Sequence, residues 1–195
     1  MRRVTRPTSL ALLTVAALVI LATMTAVSPA ADPDIAPRDL PLLSIKDFKY
    51  VGAFRLPARK YGASDLNFSQ GPIALNPDGG SLLIVGHAHH QAIAEFPIPP
   101  IVNSTVLSEL KMAGDPIQPF VKVLDRPADG NPDGNNNIGG MAVIPGPKGP
   151  ELLVNTYEYY DAPGDNTVSM LVVRNANDLA NSKVDGYFPV QAESV

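Results

Sequence analysis

From residue 48 onward, short apolar runs alternate with clusters of glycine, proline, asparagine and aspartate, the pattern of brief strands separated by turns. Residues 48–56 (FKYVGAFRL) alternate apolar or aromatic with other side chains and predict a strand. Residues 73–75, 81–85 and 92–98 predict three more, with Asn76-Pro77-Asp78-Gly79-Gly80 as a strong turn signal between the first two. Residues 103–112 predict the single short helix of this region, and residues 120–124 a further strand. A second group follows at 141–144, 151–156 and 168–174, then a turn over 175–179 and an extended segment at 187–190. Many short strands and almost no helix indicate an all-β protein.

One pattern occurs twice. Gly71-Pro72-Ile73-Ala74-Leu75-Asn76-Pro77 precedes Leu82-Leu83-Ile84-Val85, and Gly139-Gly140-Met141-Ala142-Val143-Ile144-Pro145 precedes Leu152-Leu153-Val154-Asn155, at offsets of 68 and 70 residues. Recurrence at such a period is the mark of units that bury an apolar face against the next unit. A strand followed by a three-strand meander, repeated, predicts β-propeller-like blades; a β-sandwich with similar turns is the alternative. The stretch Tyr50-Val51-Gly52-Ala53-Phe54-Arg55-Leu56-Pro57, with Leu75-Asn76-Pro77 and Leu83-Ile84-Val85-Gly86-His87, resembles secreted bacterial β-propeller-like proteins of uncharacterised function over about residues 45–175. The resemblance implies a blade and carries no catalytic residue with it.

The N-terminus changes the picture of where the chain works. Arg2, Arg3 and Arg6 lead into an apolar stretch over 10–27, and Ser28-Pro29-Ala30-Ala31 supplies small residues before Asp32. This is a secretory signal pattern over residues 1–31, cleaved near Ala30 or Ala31, with an uncleaved anchor as the competing reading. Residues 32–44 are proline-rich and predict an extended linker, leaving 45–195 as the propeller-like domain. At the observed period that domain holds two blades and part of a third, too few to close a ring. The expectation is therefore an incomplete ring: a fragment of a longer product, or a chain that self-associates through open blade edges. The location expected is exported, periplasmic or extracellular in a bacterium, with no membrane span once the leader is removed.

Charge and cysteine content narrow the partners. Removing the three leader arginines from fifteen basic residues leaves twelve against nineteen acidic ones, a net charge of −7. No basic cluster is present, which excludes nucleic acid as a partner. The sequence contains no cysteine, so a disulfide framework is excluded and stability must come from a core, bound ions or assembly.

Strand alternation predicts where function would sit. In a four-stranded blade, the loop entering the first strand and the loop joining the second and third open on one face. Residues 64–69 and 129–137 are loops of the first kind, and 86–91 and 157–161 of the second. His87, His89, His90, Tyr157, Glu158, Tyr160 and Asp161 thus form the candidate ligand-binding face. Asp129, Asn131, Asp133, Asn135 and Asn137 carry the oxygen spacing of a calcium loop, with Gly134 at the sharp turn. The loop lacks the terminal bidentate glutamate and flanking helices, and the same residues are ordinary turn formers. His87 and His89 lie two residues apart, a spacing that suits a transition metal if Glu158 or Asp161 completes the shell. Two functions follow. One is a non-catalytic binding module for a small molecule, glycan or protein. The other is a metal-assisted hydrolase or lyase using the histidine face.

Overall fold

The computed structural model describes residues 42–77 and 80–190, so the expected leader and nearly all of the expected linker lie outside the described residues. Residues 42–48 belong to a separate unit, where Ser44 caps one 3₁₀ turn, Ile45–Asp47. The remainder is all-β. Among the described residues no helix is long and apolar enough to cross a membrane.

Two antiparallel four-stranded sheets follow one another in the chain, each with its strands in sequence order. The first contains β1 (Ile73–Asn76), β2 (Ser81–Val85), β3 (Ala92–Pro97) and β4 (Gln118–Lys122). The second contains β5 (Asn137–Gly146), β6 (Gly149–Tyr157), β7 (Val168–Val173) and β8 (Val184–Pro189). Both sheets are open, not a closed ring. Alternation along the strands divides the side chains between faces. Leu83, Val85 and Ile93 of the first sheet meet Leu152, Val154, Leu171 and Val173 of the second in one buried core. Each such side chain contributes about 1.5–3 kcal/mol relative to exposure. The other face of the first sheet buries Ala92, Ala94, Phe96 and Phe120 beneath Leu56, Tyr61, Ala63 and Leu66. The first sheet is thus covered on both sides.

Residues 48–56 correct the sequence reading. They join neither sheet; their backbone pairs through isolated bridges, Ala53 to Val102 and Arg55 to Met112, while Leu56 packs on the first sheet. The predicted helix over 103–112 shrinks to one 3₁₀ turn, Leu107–Glu109. The same bridges hold both ends of that segment extended. Leu107 stays 67% exposed, so no apolar surface rewards a longer helix.

The sheets are also clasped by polar groups. Glu95, 3% exposed, accepts from Asn76 Nδ2 at 3.0 Å, from Gln118 Nε2 at 2.5 Å and from Ser81 Oγ. Gln118 in turn donates to Ala176 O (2.8 Å) and accepts from Leu179 N (2.6 Å), which ties the first sheet to the turn after β7. Asn76 Nδ2 reaches Asn177 Oδ1 at 2.9 Å.

Tyr187 of β8 donates to Leu124 O at 3.0 Å. Burial, and then the neighbouring Asp125, push its phenol up to about 12. The folded value lies above the ordinary one near 10, so its stabilisation is complete below about pH 10 and fades as the pH climbs through about 12. Spectrophotometric titration should show one phenol ionising near pH 12. Tyr187→Phe should abolish that step and cost about 0.5–1.5 kcal/mol. A titration unchanged by the substitution would assign the step to another tyrosine.

Candidate functional site

Residues 86–91 turn the chain from β2 into β3, and the neighbouring loop fixes them from outside. His87 N donates to Asp65 O (2.8 Å) and to Ser64 Oγ (3.0 Å), and Ala88 N donates to Phe68 O (3.2 Å). Gly86 makes this approach possible: a Cβ there would lie 2.8 Å from Asp65 O and 2.8 Å from the Phe120 ring. Within the turn, His90 N donates to His87 O at 2.8 Å and His89 N to His87 Nδ1 at 3.1 Å. The Nδ1 of His87 is therefore an acceptor, which leaves the proton of a neutral ring on Nε2.

The imidazoles gather as a result. The His87 ring centroid is 4.7 Å from that of His90 and 5.3 Å from that of His89, and Phe68 meets His87 edge-on at 5.7 Å. Ser64 Oγ lies 3.1 Å from His90 Nδ1, a serine–histidine contact that invites a nucleophile reading. Ser64 is 0% exposed, however, and its hydroxyl already serves His87 N and Asp65 O. It staples the turn and offers no attacking oxygen.

The second sheet supplies the opposite wall. Gln91 spans the two, accepting from Ile138 N (2.8 Å) while donating to Ala88 O (2.6 Å). Asn131 and Asn135 lock their loop by exchanging bonds: Asn135 N donates to Asn131 Oδ1 at 3.0 Å and Asn131 Nδ2 to Asn135 O at 2.7 Å. Asn135, 1% exposed, donates through Nδ2 to Val168 O at 2.8 Å, and its Oδ1 has no partner. Between the histidine turn and this loop lies a cleft of about 270 Å³, where His89, His90, Lys122, Asp125, Asn135 and Asn136 face one another. On the other side of His89, a second cleft of about 380 Å³ is lined by Phe68, Gln70, His87 and Ala88.

The structure thus brings His89 and His90 together with Asn131 and Asn135, and sets His87 beside them. It does not bring in the segment 157–161: Tyr157, Glu158 and Tyr160 are exposed, Asp161 Oδ1 accepts from Gly164 N at 2.9 Å, and none lines either cleft. The five calcium-loop residues do not share one shell. Asp133 Oδ2 accepts from Thr167 N (2.6 Å) and Val168 N (2.8 Å), anchoring the start of β7. Asn137 Nδ2 donates to Asn136 Oδ1 at 2.5 Å, and Asp129 lines a different cleft with Arg174, Lys183 and Asp185. There a hydrogen bond from Lys183, then one from Arg174, holds the Asp185 carboxyl below the usual range. Among the described residues no three His, Cys, Asp or Glu side chains are placed to hold a metal ion.

Lys122 and Asp125 escaped the sequence reading. The signal was available: β4 runs opposite to β3, so its end reaches the face where β3 begins. No protein-family model, no curated protein and no solved structure matches the chain significantly.

Proposed function

We propose that the chain is an exported binding module built from β-propeller-like blades, and that it holds a small polar ligand in the cleft between the histidine turn and the asparagine loop. One observation carries this reading: two loops from different sheets, each fixed by hydrogen bonds, line one concave surface, and Asn135 at its floor keeps a buried Oδ1 without an internal partner. A rigid frame with a few converging polar groups is the usual form of a ligand site. The commitment of Ser64 to the turn favours binding over hydrolysis, since it leaves the serine–histidine contact without a free nucleophile. Two successive four-stranded meanders packed through an apolar core favour blades, and the leader pattern over 1–31 favours export.

The reading is tested by amide nuclear magnetic resonance of the isotopically labelled protein with a fragment set of polyols, carboxylates, amines and aromatics. Shifts should concentrate in residues 86–91, 122–125 and 131–137. Shifts confined to other surfaces, or none with any fragment, would refute the site.

A further inference from the structure

The two clefts that flank His89 differ in character, and the difference selects a ligand class. On one side stand Phe68, His87 and Ala88, a shelf of ring faces and edges with little hydrogen-bonding capacity beyond Gln70 and the imidazoles. On the other stand an ammonium, a carboxyl, an imidazole and several amides, in Lys122, Asp125, His90, Asn135 and Asn136. Cation and anion occur together, so the lining has no strong net charge to recruit an ionic ligand. Donors and acceptors are mixed instead, and a hydroxyl, which both donates and accepts, matches such a surface.

Phe68 makes the shelf unusual. The residue is 78% exposed, although a large aromatic is ordinarily turned inward. Its backbone has φ of 51°, and among the described residues Gln91, at 47°, is the other non-glycine residue with positive φ. Both strained residues therefore border the histidine turn. Such strain persists where the surroundings over-determine it, here through Ala88 N on Phe68 O and Ile138 N on Gln91 Oε1. Phe68 thus sets an apolar side chain in water beside the histidine turn.

We infer that this face binds a neutral oligosaccharide, one pyranose stacking on the Phe68–His87 shelf and the next placing its hydroxyls among Lys122, Asp125 and Asn136. A pyranose ring is itself two-sided, with a face of C–H groups and a rim of hydroxyls. Aromatic side chains meet the first and planar amides and carboxyls the second. His89, shared by both clefts, would lie under the linkage between the two units. The acidic balance of the chain outside its leader opposes polyanionic chains in the same groove.

This inference rests on the binding reading above, and the two fall separately. Cellohexaose, maltohexaose, xylohexaose, a hexamer of galacturonic acid and an aromatic hexapeptide would each be titrated calorimetrically into the protein, with the same additions followed by amide resonances. At least one neutral hexasaccharide should bind, more tightly than the galacturonate, and shift residues 68, 87–91 and 131–137. Phe68→Ala should weaken it by about tenfold, while Phe68→Tyr stays within about twofold of the parent. Because Phe68 is exposed, its melting temperature serves as the check that Phe68→Ala is folded. If no hexasaccharide binds while polar fragments still shift residues 86–91 and 131–137, the saccharide class is wrong and the site stands. Tightest binding by the peptide, or saccharide binding indifferent to Phe68→Ala, would equally overturn the inference.

Discussion

Glu95→Leu should destabilise the protein by about 3–5 kcal/mol, because it strips the acceptor from three buried donors. Asn76, Ser81 and Gln118 all aim a proton at this carboxyl, and Glu95 itself is 3% exposed. Leucine fills much of the volume but accepts nothing, so each donor keeps its desolvation cost unrepaid. For a chain of this size the melting midpoint should fall by about 10 °C or more. Glu95→Gln should fall between the two, since one of its atoms still accepts while the other confronts amide donors already in place. Chemical denaturation of the three proteins decides the point. A loss below about 1 kcal/mol for Glu95→Leu would mean that water or a repacked side chain meets those donors.

Gly86→Ala is the second large effect, and it couples stability to the site. The added methyl would press on Ser64 Oγ and Asp65 O of the neighbouring loop and on the buried Phe120 ring of β4. Overpacking of this kind costs about 1–3 kcal/mol. The turn can relieve it only by moving away from residues 64–69, which breaks the bonds from His87 N and Ala88 N. Denaturation should report the loss, and the imidazole resonances of all three histidines should move. Gly114→Ala is the control: its Cβ would meet Pro97 at an ordinary 3.8 Å, and both readouts should stay near the parent. Equal behaviour of the two variants would show that the turn is not fixed by this contact.

The central strands were legible in the sequence because a turn signal bounds each end. Ser81–Val85 follows Pro77 and the paired glycines, and Ala92–Pro97 stops at Pro99-Pro100. The starts of the fourth strand and of β5 were not. Residues 118 and 119 join β4 although glutamine and proline are poor strand signals, because Gln118 faces the buried Glu95. Strand β5 begins at Asn137, inside the loop read as calcium-like, because the register shifts between Ile138 and Gly140 and absorbs the glycines. The strand over 48–56 and the helix over 103–112 failed for a shared reason. Local pattern named an element, while the bridges from residues 53 and 55 to residues 102 and 112 dictated extended cover. At the site, strand alternation placed loops 64–69, 86–91 and 129–137 at one end. It could not foresee that Ser64 would be buried beneath the histidines or that Asp133 would be spent on the amides of residues 167 and 168.

The outermost strands bear on how copies of this chain can meet. The free side of β4 is already occupied, since Phe120 N donates to Tyr61 O and Ala63 N to Phe120 O, and Pro119 offers no N–H at all. Strand β8 ends in Pro189 and carries Asp185 within the ion cluster of Arg174 and Lys183. Prolines and charges on a border strand interrupt the row of backbone groups that a foreign strand would need. Strand-by-strand polymerisation, the first step toward fibrils, is therefore obstructed at β4 and at β8, one outer strand of each sheet. Among the described residues, one apolar surface left without a cover is the outer face of the second sheet, where Ala142, Leu153 and Met170 line a shallow depression. Association of this protein should accordingly proceed face to face, by side-chain packing that is sensitive to temperature and chaotropic salts, leaving the strand count of each sheet unchanged.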